Sequence, residues 1–184
     1  MNVTKVLIMA IVIFSWACNS NNAVPVNQNA PHSPKDTQIF RIPAAIGYVN
    51  DFDHVFSDSQ VHVLDSVIID FEKRTTNQIA IATIPLNMVS IDSFEVFTLK
   101  MANQWGVGQK GKDNGILIAI GFEHRFMRIQ NGIGIEKILS DSATKTIIDN
   151  DFKPYFMRSY YFEGTLSGLQ AIIRKLDSLQ GRVR

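Results

Sequence analysis

The sequence predicts an α/β fold with helices on both faces of a small mixed β-sheet. Three observations carry this. Segments with helical periodicity alternate with short apolar segments of strand length, the signature of a layered α/β domain. Residues 78–84 (Gln-Ile-Ala-Ile-Ala-Thr-Ile) are β-branched and free of charge, as expected of a strand buried on both faces within a parallel sheet. Residues 116–120 and 126–130 are separated only by Gly121-Phe-Glu-His-Arg125, short enough for a hairpin, so that pair is antiparallel and the sheet is mixed.

The elements follow in order. Gly47-Tyr-Val-Asn-Asp-Phe-Asp53 reads as a turn-like approach to the first helix, too poor in apolar residues for a strand. Ser57 and Gln60 form a capping-box pattern, and Val61, Leu64, Val67, Ile68 and Phe71 recur at helical spacing to about Arg74. Pro85 ends the strand after it. Asp92 or Ser93 caps a second helix carrying Phe94, Phe97, Leu99 and Met101 into Trp105. The hairpin follows, between two glycine-spaced loops, 106–115 and 131–134. A third helix is predicted over 140–150, a bend with Pro154 over 151–159, and a final helix over 160–179 with Phe162, Leu166, Leu169, Ile172, Ile173 and Leu176 on its apolar side. No internal repeat is visible.

The chain has 184 residues and a net charge of +1, enough for one domain with an appendage. Its bases are scattered, apart from a C-terminal group that suits a helix terminus, so no nucleic-acid role is indicated. Cys18 is the only cysteine, which excludes an internal disulfide. Lys5, the apolar run 6–14 and the small residues Ser15 and Ala17 before Cys18 have the order of a secretory signal, and the run is too short to span a bilayer. Ser15-Trp-Ala-Cys18 resembles the lipobox of bacterial lipoproteins, with Ser in place of the usual Leu. Residues 1–17 are therefore expected to be a signal peptide, Cys18 to carry lipid, and residues 18–46 to be a polar anchor linker. That places the domain, residues 47–180, in the bacterial envelope, in the periplasm or at the cell surface, held to a membrane by lipid.

Several catalytic templates fail. No Gly-x-Ser-x-Gly elbow is present, and His32, His54, His62 and His124 lack zinc-ligand spacing. Asp51-Phe-Asp53-His-Val55 matches the Asp-x-Asp-x-Val pattern of haloacid-dehalogenase-type phosphatases but lacks the apolar strand that chemistry needs before it. A hard-cation site is the stronger chemical reading. Asp51, Asp113 and Asn114 offer oxygen ligands on loops, and Gly108, Gly111 and Gly115 let carbonyls turn inward. The same Asp113-Asn-Gly also reads as an ordinary turn.

Six phrases in order resemble the TPM-domain family: Gly47-Tyr-Val-Asn-Asp51, Asn77-Gln-Ile-Ala-Ile-Ala, Asn103-Gln-Trp-Gly-Val-Gly108, Lys112-Asp-Asn-Gly-Ile-Leu117, Arg128-Ile-Gln-Asn-Gly-Ile-Gly-Ile-Glu136 and Tyr160-Tyr-Phe-Glu-Gly164. The family includes bacterial envelope proteins, a thylakoid-lumen protein linked to photosystem II repair and nematode receptor accessory proteins. The resemblance implies a three-layer α/β/α sandwich, divalent-cation sites in the loops and, as in the plant member, weak acid phosphatase activity. Carried over, it marks Asp51, Asp113, Asn114 and Glu136 as metal ligands; Asn131 stands where many members have valine. The resulting expectation is a membrane-tethered accessory module for an unidentified envelope protein, with Asp51 and the Asp113-Asn114 pair converging on one divalent cation, calcium before magnesium. A weak metal-assisted phosphatase is the alternative.

Overall fold

The computed structural model describes residues 40–180. The signal-like region, Cys18 and most of the predicted linker lie outside that range. The fold is a three-layer α/β/α sandwich around a four-stranded sheet, with strand order β1-β2-β3-β4. The strands are β1 (Val49–Asp51), β2 (Gln78–Thr83), β3 (Gly115–Gly121) and β4 (Phe126–Asn131). The first three run parallel and β4 returns antiparallel, so the sheet is mixed as predicted.

The two faces of the sheet differ in residue size. Ile79, Ile81, Ile116, Ile118, Ile120 and Ile129 point to one face, where they meet Leu64, Ile68 and Phe71 of α1 (Asp58–Thr75). Leu169, Ile172 and Leu176 of the last helix, α6 (Tyr161–Gln180), pack into the same layer. Ala80, Ala82, Leu117 and Ala119 point the other way, and the three small alanines let α2 (Phe94–Trp105) bring Phe94, Phe97 and Met101 close. Period-two alternation thus sorts one apolar strand into two cores. β3 is buried along its whole length, as its lack of polar residues requires.

Helix termini follow the sequence signals. Ser57 and Gln60 complete the capping box of α1, and Thr76 closes that helix in the left-handed region. Gly106 does the same for α2. Residues 40–46 have no regular structure but lie along α2. Phe40 packs edge-on against Phe97 at 5.3 Å, and Trp105 Nε1 donates to the Pro43 carbonyl at 2.8 Å.

Three local expectations need correction. Residues 49–51 are a strand, because pairing with β2 and a bond from Val49 N to Asp65 Oδ1 satisfy a backbone that its own side chains would not hold. The second glycine loop is one helical turn, α3 (Ile133–Glu136). The predicted bend at 151–159 is mostly helical. After α4 (Asp141–Ile147) the chain widens into a π-turn, Ile148–Phe152, and continues as α5 (Lys153–Phe156), with Pro154 at its start, where the missing N–H costs nothing. The extra residue of the π-turn aims Phe152 into the core against α6, where Gly168 makes room for the ring.

Candidate functional site

Asp51 stands at the carboxyl end of β1, level with Thr83 of β2 and so with Ile120 of β3. Asn114 immediately precedes β3, beside Gln78 at the start of β2. From Gly115 to Ile120 the strand advances five residues, about 17 Å at roughly 3.3 Å each. Asp51 and the Asp113-Asn114 pair therefore sit at opposite ends of the sheet and do not converge on one cation. The reason is topological. β1 and β3 are parallel, so the residue after one and the residue before the other face opposite ways. Glu136 does share an end with Asp113: β4 runs back toward the start of β3, Gly132 N donates to Gly115 O at 2.8 Å, and Gly134 N to Asp113 O at 3.0 Å. A Cβ on Gly132 would lie 2.2 Å from Asp113 O, so only glycine allows this approach of the two loops.

At this amino end Asn114 is a staple. It is 6% exposed; its Oδ1 accepts from Gln109 N at 2.8 Å and its Nδ2 donates to Thr76 O at 2.7 Å. Gln78 completes the lock, accepting from Gly108 N and donating to Glu72 Oε1. Asp113 and Glu136 are exposed, and Asp113 adopts a positive φ of 50°. Lys112 Nζ reaches Thr76 Oγ1 at 3.4 Å. Asn114 thus ties the Asp113-Asn-Gly turn to the end of α1 and the start of β2, with both ends of its side-chain amide engaged within the fold.

The carboxyl end is more acidic. Asp51 Oδ1 accepts from Thr83 Oγ1 at 2.7 Å and Val55 N at 3.2 Å, and Oδ2 accepts from Phe56 N at 2.8 Å. These bonds shape the loop between β1 and α1. Thr83 Oγ1 in turn accepts from Asp53 N at 2.9 Å. Burial, then the charges of Glu123 and Asp51, hold the Asp53 carboxyl above its ordinary pKa, opposed by His124 and His54. Glu123 follows β3 and accepts from Leu86 N at 3.4 Å; the buried His124 meets Val89 O at 2.7 Å through Nε2. Phe56, Phe122, Phe156 and Tyr161 form an aromatic wall beside this end, with Phe122 and Tyr161 centroids 4.4 Å apart.

Ligands of open α/β sheets collect at the carboxyl ends of parallel strands. Asp53, Thr83 and Glu123 satisfy that rule and were absent from the sequence-derived ligand set. Recognising 49–51 as a strand would have exposed the pattern, since Asp51, Thr83 and Glu123 each end or follow a strand. That strand also supplies the context missing from the Asp51-x-Asp53 pattern. Asp51, however, lies on an edge strand with both oxygens engaged, which leaves it poorly placed as a nucleophile. Among the described residues, no three His, Cys, Asp or Glu side chains gather as a set able to hold a metal ion.

A family model described as the TPM domain matches residues 49–175. The fold resembles the solution structure of the N-terminal domain of a protein from P. gingivalis, at 30% identity and a TM-score of 0.65, covering 71% of this chain and 82% of that one. It also resembles the BA42 protein of Bizionia argentinensis (22% identity, TM-score 0.54, covering 69% and 85%) and the N-terminal domain of the cg2496 protein of Corynebacterium glutamicum (17%, 0.53, covering 74% and 84%). The last two bear on the fold alone. Comparison with curated proteins gives no match.

Proposed function

The chain belongs to the TPM-domain family, and from that premise we propose that it is a non-catalytic binding module of the bacterial envelope, lipid-tethered through Cys18 and loaded with a divalent cation. The observation that carries the non-catalytic reading is the commitment of Asp51. The one carboxylate with a nucleophile-like position accepts two backbone amides and a hydroxyl. A carboxylate with bonds on both oxygens, two of them from the backbone of its own loop, shapes that loop and is held away from the free geometry a nucleophile needs.

The four ligands named from sequence do not fit one cation, because they are divided between the two ends of the sheet. The carboxyl end suits a cation better. Burial, then the charges of Glu123 and Asp51, hold the Asp53 carboxyl above its ordinary pKa, and a cation there removes the repulsion. Asp53 and Glu123 supply the carboxylates, with backbone carbonyls and water completing the shell. Flexible oxygen ligands of this kind favour calcium over magnesium. The tether rests on the signal-like run and Cys18 of the sequence; among the described residues no helix is long and apolar enough to cross a membrane.

Calorimetric titration of calcium and magnesium into the chelator-treated chain tests the site. Heat is expected with calcium, lost in Asp53→Asn and retained in Asp113→Asn. Heat lost only in Asp113→Asn would move the site to the amino end. Hydrolysis of a generic phosphate ester that disappears in Asp51→Asn would favour the phosphatase instead. For the tether, Cys18→Ser should leave the membrane fraction; persistence there would remove the lipid anchor from the proposal.

A further inference from the structure

The two edges of the sheet are finished differently. At the β1 edge, Val49 turns its N–H away from β2, and Asp65 Oδ1 of α1 accepts it at 3.1 Å. That strand is three residues long. Short strands and covered amides are ordinary protection against strand addition. The β4 edge has neither. It is six residues long and carries no proline. Gly132 N bonds Gly115 O, so alternation along the ladder directs Phe126, Arg128 and Gln130 toward β3 and leaves the backbone groups of Met127, Ile129 and Asn131 facing outward. Among the described residues, none of those outward groups has a hydrogen-bond partner.

We propose that this edge is an interface between two copies of the chain, their β4 strands pairing antiparallel about Ile129 into one continuous sheet. Outward groups must face outward groups, which restricts the register, and the side chains choose within it. Centred on Ile129, Met127 lies opposite Asn131 of the second copy and Arg128 opposite its Gln130. The chemistry of the second pair is complementary. Arg128 Nε is buried and has no hydrogen-bond partner among the described residues. Gln130 gives its Nε2 to Thr98 Oγ1 and Glu95 O, and among the described residues its Oε1 has no bond. The two sit at a non-hydrogen-bonded position of the new ladder, where cross-strand side chains come closest. Within one copy Glu95 holds both residues in place: its carboxylate pairs with Arg128 and its backbone carbonyl accepts from Gln130 Nε2 at 3.3 Å. Phe126, 38% exposed, then lies across from Gly132, an aromatic covering a residue with no side chain. Shifting the axis by one residue, to Arg128, sets the two arginines directly opposite, which repulsion opposes. The twofold arrangement is closed, so it ends at a dimer. The proposal stands on strand pattern and polar complementarity alone and is independent of the cation site.

The test is sedimentation equilibrium of the full chain in mild detergent across the micromolar range. A reversible dimer is expected. Met127→Pro removes one outward amide at a position where an edge strand tolerates proline, and should abolish the dimer with the circular dichroism unchanged. Gln130→Arg places like charges opposite and should also abolish it; Gln130→Glu should tighten it. In a sample mixing labelled and unlabelled chains, an intermolecular contact is expected between the α-protons of Arg128 and Gln130. A chain that stays monomeric throughout, a dimer indifferent to both Met127→Pro and Gln130→Arg, or a dimer without that proton contact overturns the proposal.

Discussion

Thr83 Oγ1 donates to Asp51 Oδ1 at 2.7 Å and accepts from Asp53 N at 2.9 Å, so one fully buried hydroxyl couples β2 to the whole β1–α1 loop. A valine there keeps the shape and removes both bonds. It leaves an amide and a carboxylate oxygen short of a partner in a partly desolvated site. Thr83→Val is expected to cost about 1–3 kcal/mol in urea denaturation. Thr83→Ser, which retains the hydroxyl, should cost less. A Thr83→Val cost no larger than that of Thr83→Ser would mean that the two bonds contribute no more than the packing of one methyl.

The Asp113-Asn114 pair separates into two roles that mutation can tell apart. Asn114 bridges Thr76 O and Gln109 N while buried, so Asn114→Ala strands both groups and should cost about 2 kcal/mol or more. Asp113 is exposed at positive φ, a backbone region glycine enters without strain. Asp113→Gly is therefore expected to leave metal-free stability within about 0.5 kcal/mol. Comparable losses in both variants would show that the Asp113 carboxylate holds the turn.

On α6, replacing glycine by alanine in a helix interior ordinarily stabilises by about 0.5–1 kcal/mol. Gly168 should reverse that sign. A Cβ there would stand 2.0 Å from Cε2 of Phe152, a ring that is fully buried and wedged by the π-turn. Overpacking of this kind costs about 1–3 kcal/mol. Gly168→Ala is expected to lower the melting temperature, and pairing it with Phe152→Leu should recover part of the loss. A stabilised Gly168→Ala would mean that the π-turn yields easily.

How much of this could be read from the sequence depends on whether the signal was local. The capping box at Ser57 and Gln60, the charge-free strand at 78–83 and the hairpin around Gly121 are each written in a few adjacent residues, and the sheet follows from them. β1 was missed because Val49–Asp51 is held by partners elsewhere, Ile81 and Asp65, which no local pattern reveals. The π-turn was missed because Pro154 reads as a break, while its place at the start of α5 makes it harmless. The expected convergence on one cation fails for a related reason. Oxygen-bearing side chains on glycine-rich loops are legible in the sequence, but which end of the sheet each loop occupies depends on strand direction. Once β1 is a parallel strand, Asp51 and Asp113 must part.

Asp53 provides the pH test of the carboxyl end. Its carboxyl is raised in the folded chain by burial first, then by Glu123 and Asp51. A carboxyl whose folded pKa exceeds its unfolded value binds its proton more tightly when folded. Its contribution favours the folded state in acid, below the ordinary carboxylate range near about pH 4. That contribution is lost as pH rises through the raised folded pKa, and above it the ionised group is a net burden. Asp53→Asn keeps the backbone bond from residue 53 to Thr83 and removes the charge. At neutral pH without metal the variant should therefore melt higher than the parent chain. The gap should narrow as pH falls toward and below about 4, where the parent carboxyl is already protonated in both states. Saturating calcium should narrow it from the other side, by stabilising the parent alone. Thermal melts of the two chains at several pH values, each with chelator and with calcium, read all three effects. A variant less stable than the parent at neutral pH in chelator would mean that the Asp53 charge is satisfied within the fold, and would remove the electrostatic ground for a cation at this end of the sheet.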